Sequence, residues 1–160
     1  MESQDVYFML QALREAERAF SRGDVPVGAV LTRDGEILAK GSNIKTFDPT
    51  AHAEIQVIRA GAERIGNWNL QNCDLYVTLE PCPMCAGAAV NARIRNIVFG
   101  AWDPRCGAVG TLYDIPRDVR LNHRCEVRGG VLKETCSELL REYFRKKRNI
   151  KYVKIDSERD

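Results

Sequence analysis

A strand–helix–strand unit in the middle of the chain most constrains how this sequence can fold. Residues 75–79 form a short apolar run, Pro81 opens a helical stretch that continues to about Ala92, and residues 97–100 form a second apolar run. A helical crossover of this length joins neighbouring strands that point in the same direction, so these two strands are predicted to be parallel. The chain is therefore expected to build an α/β sheet around this unit.

Apolar periodicity and turn residues predict six further elements on either side of this unit. They are a helix capped by Asp5 and ended by Gly23, strands at 27–32 and 37–41 joined by Asp34-Gly35, a helix at 51–65, a strand at 125–128, and a last helix at about 133–148 followed by a short tail, 149–160. The order α-β-β-α-β-α-β-β-α predicts a three-layer α/β/α fold, in which helices cover both faces of a mixed five-stranded sheet.

The length of 160 residues predicts one domain, 1–160. No apolar run approaches the roughly 20 residues of a membrane-spanning helix. The N-terminus carries acidic residues instead of the basic flank of a signal peptide. Without secretion, the six cysteines are expected to be reduced thiols. The sequence therefore predicts a cytoplasmic protein with no membrane partner.

The distribution of charge is more informative than the net charge of +2. The segment 141–151 carries six basic residues and one acidic residue, whereas the rest of the chain has a small excess of acid. Such a basic patch is typical of a surface that contacts an RNA backbone. It could equally complement the C-terminus of a helix and keep that helix soluble, and the sequence alone does not separate the two interpretations.

Four residues in two short motifs indicate a hydrolytic zinc site. His52 and Glu54 lie in His-Ala-Glu, and Cys82 and Cys85 lie in Pro-Cys-Pro-Met-Cys. One imidazole and two thiolates are good zinc ligands, and a site with three protein ligands keeps one coordination position open, as catalytic zinc sites do. Both motifs fall in predicted first turns of helices, where the positive end of the helix favours a thiolate. Glu54 would supply the acid–base group for hydrolysis.

Other functions of a Cys-x-x-Cys pair fit this chain less well. A redox dithiol has no use for His52 and Glu54. A structural zinc site needs a fourth ligand, and the chain contains no second Cys-x-x-Cys and no pair of histidines at zinc-finger spacing. The other four cysteines are scattered singly and are expected to be mostly core or strand-edge thiols: Cys73, Cys106, Cys125 and Cys136.

The motifs and the sequence around them resemble a known family. His-x-Glu followed by Pro-Cys-x-x-Cys is the signature of zinc-dependent cytidine deaminase-like enzymes. Longer stretches are similar to the bacterial tRNA-specific adenosine deaminases, and together they extend over most of the chain: 48–55 (DPTAHAEI), 75–89 (LYVTLEPCPMCAGAA), 98–101 (VFGA), 122–124 (NHR) and 139–145 (LLREYFR).

The resemblance implies a cytidine deaminase-like fold and hydrolysis of the wobble adenosine of a tRNA anticodon to inosine. It implies one Zn²⁺ per subunit, bound by His52, Cys82 and Cys85, with Glu54 as the proton shuttle. It also implies a homodimer that contacts the anticodon arm of the tRNA, and DNA is not an expected partner. An unpaired anticodon loop suits this chemistry, because extruding one of its bases costs less than opening a duplex.

The resemblance further implies five substrate-binding residues. Asn43 would hydrogen-bond the purine ring, and Arg148 would contact phosphates. The pocket for the flipped-out nucleotide and its neighbours would be lined by Asp103, Asn122 and Phe144. The residues themselves also allow local roles, because Asn43 could shape a turn, Asp103 and Asn122 could cap nearby backbone, and Phe144 could pack in the core.

Two other functions are compatible with the zinc motif. One is a deaminase of a free base or nucleoside, such as guanine or cytosine, and the basic segment 141–151 speaks against it. The other is a zinc-stabilised RNA-binding module without turnover. Glu54 and the missing fourth ligand speak against that module.

Overall fold

The computed structural model describes residues 2–44 and 48–157 of the chain. Its strands are β1 (Gly28–Arg33), β2 (Glu36–Ser42), β3 (Cys73–Leu79), β4 (Asn96–Ala101) and β5 (Glu126–Gly129). Its helices are α1 (Glu2–Arg22), α2 (Ala53–Ile65), α3 (Pro83–Asn91) and α4 (Lys133–Ser157). A short 3₁₀ turn, Ile115–Arg117, lies in the long connection between β4 and β5.

The five strands form one mixed sheet in the order β2-β1-β3-β4-β5. β1 is antiparallel to both β2 and β3, whereas the β3–β4 and β4–β5 pairs are parallel. The prediction of parallel strands around α3 is therefore confirmed. Leu79 pairs with Ala101 at the carboxyl ends of β3 and β4, so the segments that follow these two strands leave the sheet at the same edge. Ligands of open α/β sheets bind at such an edge.

Successive side chains along the strands point to opposite faces of the sheet and so contribute to two separate apolar layers. Leu31, Val77 and Phe99 point to the face covered by α2 and α3. Their neighbours Val30, Tyr76 and Val98 point to the opposite face, which α1 and α4 cover. This is the period-two pattern of strands buried on both sides. The predicted three-layer α/β/α arrangement is confirmed.

The Asp34-Gly35 turn joins β1 to β2 as the sequence predicts. Asp34 has φ 51° and Gly35 has φ 78°. Two consecutive residues with positive φ are typical of a type I′ hairpin turn, whose twist matches that of the flanking strands.

The prediction that Asp5 caps the first helix is wrong. α1 begins at Glu2, so Asp5 lies within the helix. Its buried carboxylate accepts a hydrogen bond from the Tyr76 hydroxyl at 3.1 Å and pairs with the Arg128 guanidinium through bonds of 2.8 and 3.0 Å. Asp is favoured at a helix start in general, but here the residue binds two distant partners that local sequence cannot reveal.

The predicted end of the last helix near 148 is also wrong. α4 continues to Ser157, so most of the expected tail, 149–160, is helical, and residues 158–160 lie outside the described part of the chain. The prediction ended the helix where its apolar periodicity ends. No Gly or Pro follows Phe144 to stop the helix, and Lys and Arg are good helix formers. Among the described residues, no helix is both long and apolar enough to cross a bilayer.

Candidate active site

Three candidate metal ligands converge at the N-termini of two helices. His52 is the N-cap residue of α2, Cys82 is the N-cap residue of α3, and Cys85 lies in the first turn of α3. The His52 Nδ1 atom lies 3.6 Å from Cys82 Sγ and 3.5 Å from Cys85 Sγ. All three ligand atoms lie within 4.8 Å of one another. The fold thus brings together side chains that are about thirty residues apart in the sequence.

The two thiols have very different proton affinities. A hydrogen bond from Cys85 and a second one from His52 lower the pKa of Cys82 to about 4. The pKa of Cys85 is raised, because this thiol donates to Cys82 and is buried beside Glu54. The protein alone therefore stabilises one thiolate, and a bound cation would be needed to hold both sulfurs in the thiolate form.

The spacing of the ligand atoms fits a tetrahedral zinc ion. Bonds of about 2.3 Å to sulfur and about 2.05 Å to nitrogen place N and S about 3.6 Å apart in a tetrahedron. The observed separations of 3.5 and 3.6 Å agree with that value. A set of one histidine and two cysteines is also a catalytic zinc set, since it supplies three protein ligands.

Glu54 places a buried carboxyl group next to these ligands. Its side chain is 3% exposed, and its Oε2 atom has no hydrogen-bond partner in the described part of the chain. Burial raises the pKa of Glu54 above its usual range. A buried, unsatisfied polar atom is costly and indicates a functional site, and a carboxyl group with a raised pKa suits proton transfer near neutral pH.

Asn43 fixes the start of α2 and hence the positions of His52 and Glu54. Its buried side chain accepts a hydrogen bond from the Ala53 N–H at 2.7 Å, which satisfies one of the backbone donors left unpaired at a helix start. The Arg22 guanidinium holds this loop by donating to Ser42 Oγ at 2.8 Å and to the Asn43 carbonyl at 3.3 Å.

Comparison with known proteins identifies the family. The cytidine and deoxycytidylate deaminase zinc-binding region matches residues 2–101, which include all four residues of the zinc motif. A tRNA-specific adenosine deaminase of Bacillus subtilis (strain 168) is 46% identical over 151 residues, which cover 93% of this chain and 94% of that protein. The chain belongs to the tRNA-specific adenosine deaminase family.

Solved structures agree with this assignment. A structure from a study of A-to-I editing by tRNA:A34 deaminases at the wobble position of transfer RNA superimposes with a TM-score of 0.81. It is 44% identical to this chain and covers 84% of this chain and 99% of its own. A guanine deaminase of Bacillus subtilis is 40% identical but matches only 60% of this chain and 63% of its own, with a TM-score of 0.57.

Asp103 and Asn122, two of the proposed substrate residues, both lie in the β4–β5 connection, but their surroundings differ from each other. The Asp103 carboxylate accepts hydrogen bonds from the N–H groups of Arg105 at 2.9 Å and Cys106 at 3.2 Å. This is the local capping role that the sequence left open. Asn122 is exposed near the end of the same connection.

Phe144 and Arg148, the two proposed substrate residues on α4, are both exposed. Phe144 is 44% exposed and packs edge-on against the buried Tyr143, so it is a surface residue and does not belong to the core. Arg148 lies one turn further along the helix and is also exposed. Substrate roles for Phe144 and Arg148 remain predictions.

Glu80, which directly precedes Pro81-Cys82, was not predicted as a functional residue. Glu80 is 2% exposed, and its carboxylate binds backbone groups of the β4–β5 connection. The available signal was an acidic residue at the end of an apolar strand. Such a residue is usually solvated, so the pattern alone gave no reason to expect four hydrogen-bond donors around it.

Proposed function

We propose that this chain hydrolyses the wobble adenosine of a tRNA anticodon to inosine. The observation that carries the proposal is the His52/Cys82/Cys85 cluster with the Glu54 carboxyl group beside it, whose Oε2 atom has no hydrogen-bond partner among the described residues. The related tRNA-specific adenosine deaminases align along nearly the whole chain, which favours this substrate over a free base.

Glu54 performs the proton transfers of the proposed reaction. The water oxygen bonds to C6 of adenine, and the bond between C6 and the exocyclic amino nitrogen breaks. One water proton must therefore reach the ring nitrogen N1, and the other must leave with ammonia. Glu54 takes a proton from the attacking water, donates it to N1, and then helps protonate the departing amine. Its raised pKa, caused by burial, makes both steps accessible near neutral pH.

His52, Cys82 and Cys85 would hold one Zn²⁺ per subunit. Bound there, the ion would act as a Lewis acid that lowers the pKa of water. Cys85 and Glu54 are buried, and electrostatic interactions of groups shielded from water are stronger than those in bulk solvent.

The target nucleotide would bind among Asn43, Asp103, Asn122 and Phe144. The carbonyl end of the Asn43 amide is committed to Ala53, so its NH₂ end is the one that can donate to the purine ring. Phe144 is exposed and offers a ring face on which an unpaired base can stack.

We also propose a homodimeric, cytoplasmic enzyme whose single domain spans 1–160. Exposed apolar side chains in the β4–β5 connection support a contact with a second copy, namely Leu112, Tyr113 and Val119. A tRNA substrate supports the cytoplasmic location.

The basic residues of α4 differ in how much of their charge is available to RNA. Lys146 Nζ lies 4.9 Å from the centre of the Phe20 ring and 3.7 Å from Glu142, and Lys147 Nζ lies 4.9 Å from the Tyr143 ring. Arg145 and Arg148 are exposed and form no ion pair within the described part of the chain. These two arginines are therefore the better candidates for phosphate contacts.

We expect Arg145→Ala/Arg148→Ala to reduce the dependence of tRNA binding on salt. The slope of log K against log [salt] is negative, and each lost phosphate contact reduces its magnitude by roughly 0.7 to 0.9. Loss of two contacts should therefore reduce the magnitude by about 1.4 to 1.8. The measurement is tRNA binding by fluorescence anisotropy at several salt concentrations. Arg33→Ala/Arg59→Ala removes the same charge away from α4 and is expected to leave the slope unchanged. If Arg145→Ala/Arg148→Ala has the same slope as the control variant and the wild type, these arginines contact no phosphate, and the basic segment 141–151 serves solubility.

The proposed function is tested with an arginine tRNA transcript that carries the anticodon ACG. The zinc-loaded protein is incubated with this transcript and, in parallel, with free adenosine, cytidine and guanine, and the products are identified by mass. Inosine at the wobble position without turnover of the free compounds is the expected result. Turnover of a free compound with unchanged tRNA would favour a small-molecule deaminase. No turnover of any substrate would favour a zinc-stabilised RNA-binding module.

A further inference from the structure

Glu80 connects the end of β3 to the segment that follows β4. One carboxylate oxygen, Oε1, accepts a hydrogen bond from the Asp103 N–H at 3.1 Å and another from the Thr111 hydroxyl. The second oxygen, Oε2, accepts from the N–H groups of Val109 at 3.0 Å and Thr111 at 3.1 Å. A single buried side chain thus binds both ends of a loop, 103–111: it accepts from residue 103 at one end and from residues 109 and 111 at the other.

This loop also packs directly against the backbone around Glu80. The Ala108 N–H donates to the Pro81 carbonyl at 2.9 Å, and the Glu80 N–H donates to the Ala101 carbonyl at 2.8 Å. A Cβ atom at Gly107 would lie 2.5 Å from the Glu80 carboxyl group, so only glycine allows so close an approach. Because β3 and β4 are parallel, the loop leaves the sheet at the edge where Cys82 begins α3. Ligands of open α/β sheets bind at such an edge, so a nucleotide bound beside Cys82 would have this loop as one wall of its crevice.

We propose that Glu80 is a positioning residue that holds loop 103–111 in register with the Pro81-Cys82 segment, so that this wall is preformed for the nucleotide. The proposal rests on the proposed function for its substrate. Glu80 does not touch the reacting atoms; it acts through the loop. All four of its partners are donors, so the carboxylate is used as an acceptor on both oxygens.

This donor pattern makes Glu80→Gln a sharp test. Glutamine has nearly the same shape, but its NH₂ group must face N–H or O–H donors whichever way the amide is turned. At least one of the loop contacts is then lost, and the loop is expected to shift away from the crevice. Thr111→Val removes the hydroxyl donor alone, and Thr111→Ser, which keeps that donor, is its matched control.

The experiment measures kcat and KM on an anticodon stem-loop, zinc content, and hydrogen exchange of peptides covering 103–111. We expect Glu80→Gln to retain zinc, to exchange faster in this loop but not in α1, and to lose about tenfold in kcat/KM, the order expected when a hydrogen bond that orders the binding surface is lost. The loss should fall mainly on KM, because α2 and α3, not the loop, hold the metal ligands. Thr111→Val should show a smaller loss, and Thr111→Ser should match the wild type.

Three results would overturn the proposal. The first is that hydrogen exchange in 103–111 is the same in Glu80→Gln as in the wild type. The second is that kcat/KM is unchanged at a temperature where both proteins are folded. The third is that kcat falls while KM stays the same. If Glu80→Gln does not fold, the comparison of Thr111→Val with Thr111→Ser decides by the same criteria. Hydrogen exchange requires no substrate, so an inactive wild type would refute the proposed function while the exchange result still tested the anchoring role of Glu80.

Discussion

Glu54→Gln is expected to lower kcat by about 100- to 10,000-fold, the range that a positioned general acid–base contributes, while the chain still folds and binds zinc. Glutamine has almost the same volume as glutamate but cannot exchange a proton near neutral pH. The fold should tolerate the change, because Glu54 Oε2 has no hydrogen-bond partner to lose among the described residues and because burial disfavours the charged form of Glu54.

The measurement is single-turnover deamination of the tRNA substrate, with zinc content and thermal unfolding recorded on the same samples. Glu63→Gln is the matched control, because Glu63 is an exposed acidic residue on the same helix. The control should retain wild-type turnover. A Glu54→Gln variant with more than a few per cent of wild-type activity would exclude Glu54 as the proton shuttle.

His52→Ala and Cys82→Ala are each expected to abolish stoichiometric zinc binding and, with it, activity. Each change removes one of the three ligand atoms that the described residues bring together in the cluster. Zinc that binds the folded state alone stabilises it by about 4 kcal/mol when its concentration is about 1,000 times the Kd. A chelator should therefore lower the unfolding temperature of the wild type much more than that of either variant.

Metal content is measured by mass spectrometry of the purified proteins, and unfolding by scanning calorimetry with and without the chelator. Cys106→Ser is the control, since Cys106 is exposed and is not part of the ligand cluster. It should bind zinc and respond to the chelator as the wild type does. One zinc ion per chain in His52→Ala or Cys82→Ala would contradict the proposed ligand set.

The sequence predicted those parts of the fold that depend on local patterns. The apolar runs flanking α3 predicted two parallel strands, and Asp34-Gly35 predicted the hairpin, because period and turn chemistry are encoded within a few residues. The convergence of His52 with Cys82 and Cys85 was also predicted, since both motifs lie at helix starts beside the central strands.

The sequence could not predict the interactions that join distant segments. Asp5 looked like a helix cap, but it binds Tyr76 and Arg128. Asn43 could be read as a turn residue, but its side chain caps the start of α2 from the preceding loop. Glu80 carried no pattern that pointed to its backbone partners. In each case a short polar side chain satisfies groups whose positions only the folded chain defines.

The contacts of α1 also bear on the order in which the chain can fold during synthesis. Asp5 pairs with Arg128, which lies 123 residues later, and the Gly23 carbonyl accepts a hydrogen bond from Tyr143, which lies 120 residues later. All of the proposed zinc ligands leave the ribosome well before either partner. In a nascent chain the three proposed ligands therefore emerge before the buried carboxylate of α1 can gain the cation that neutralises it.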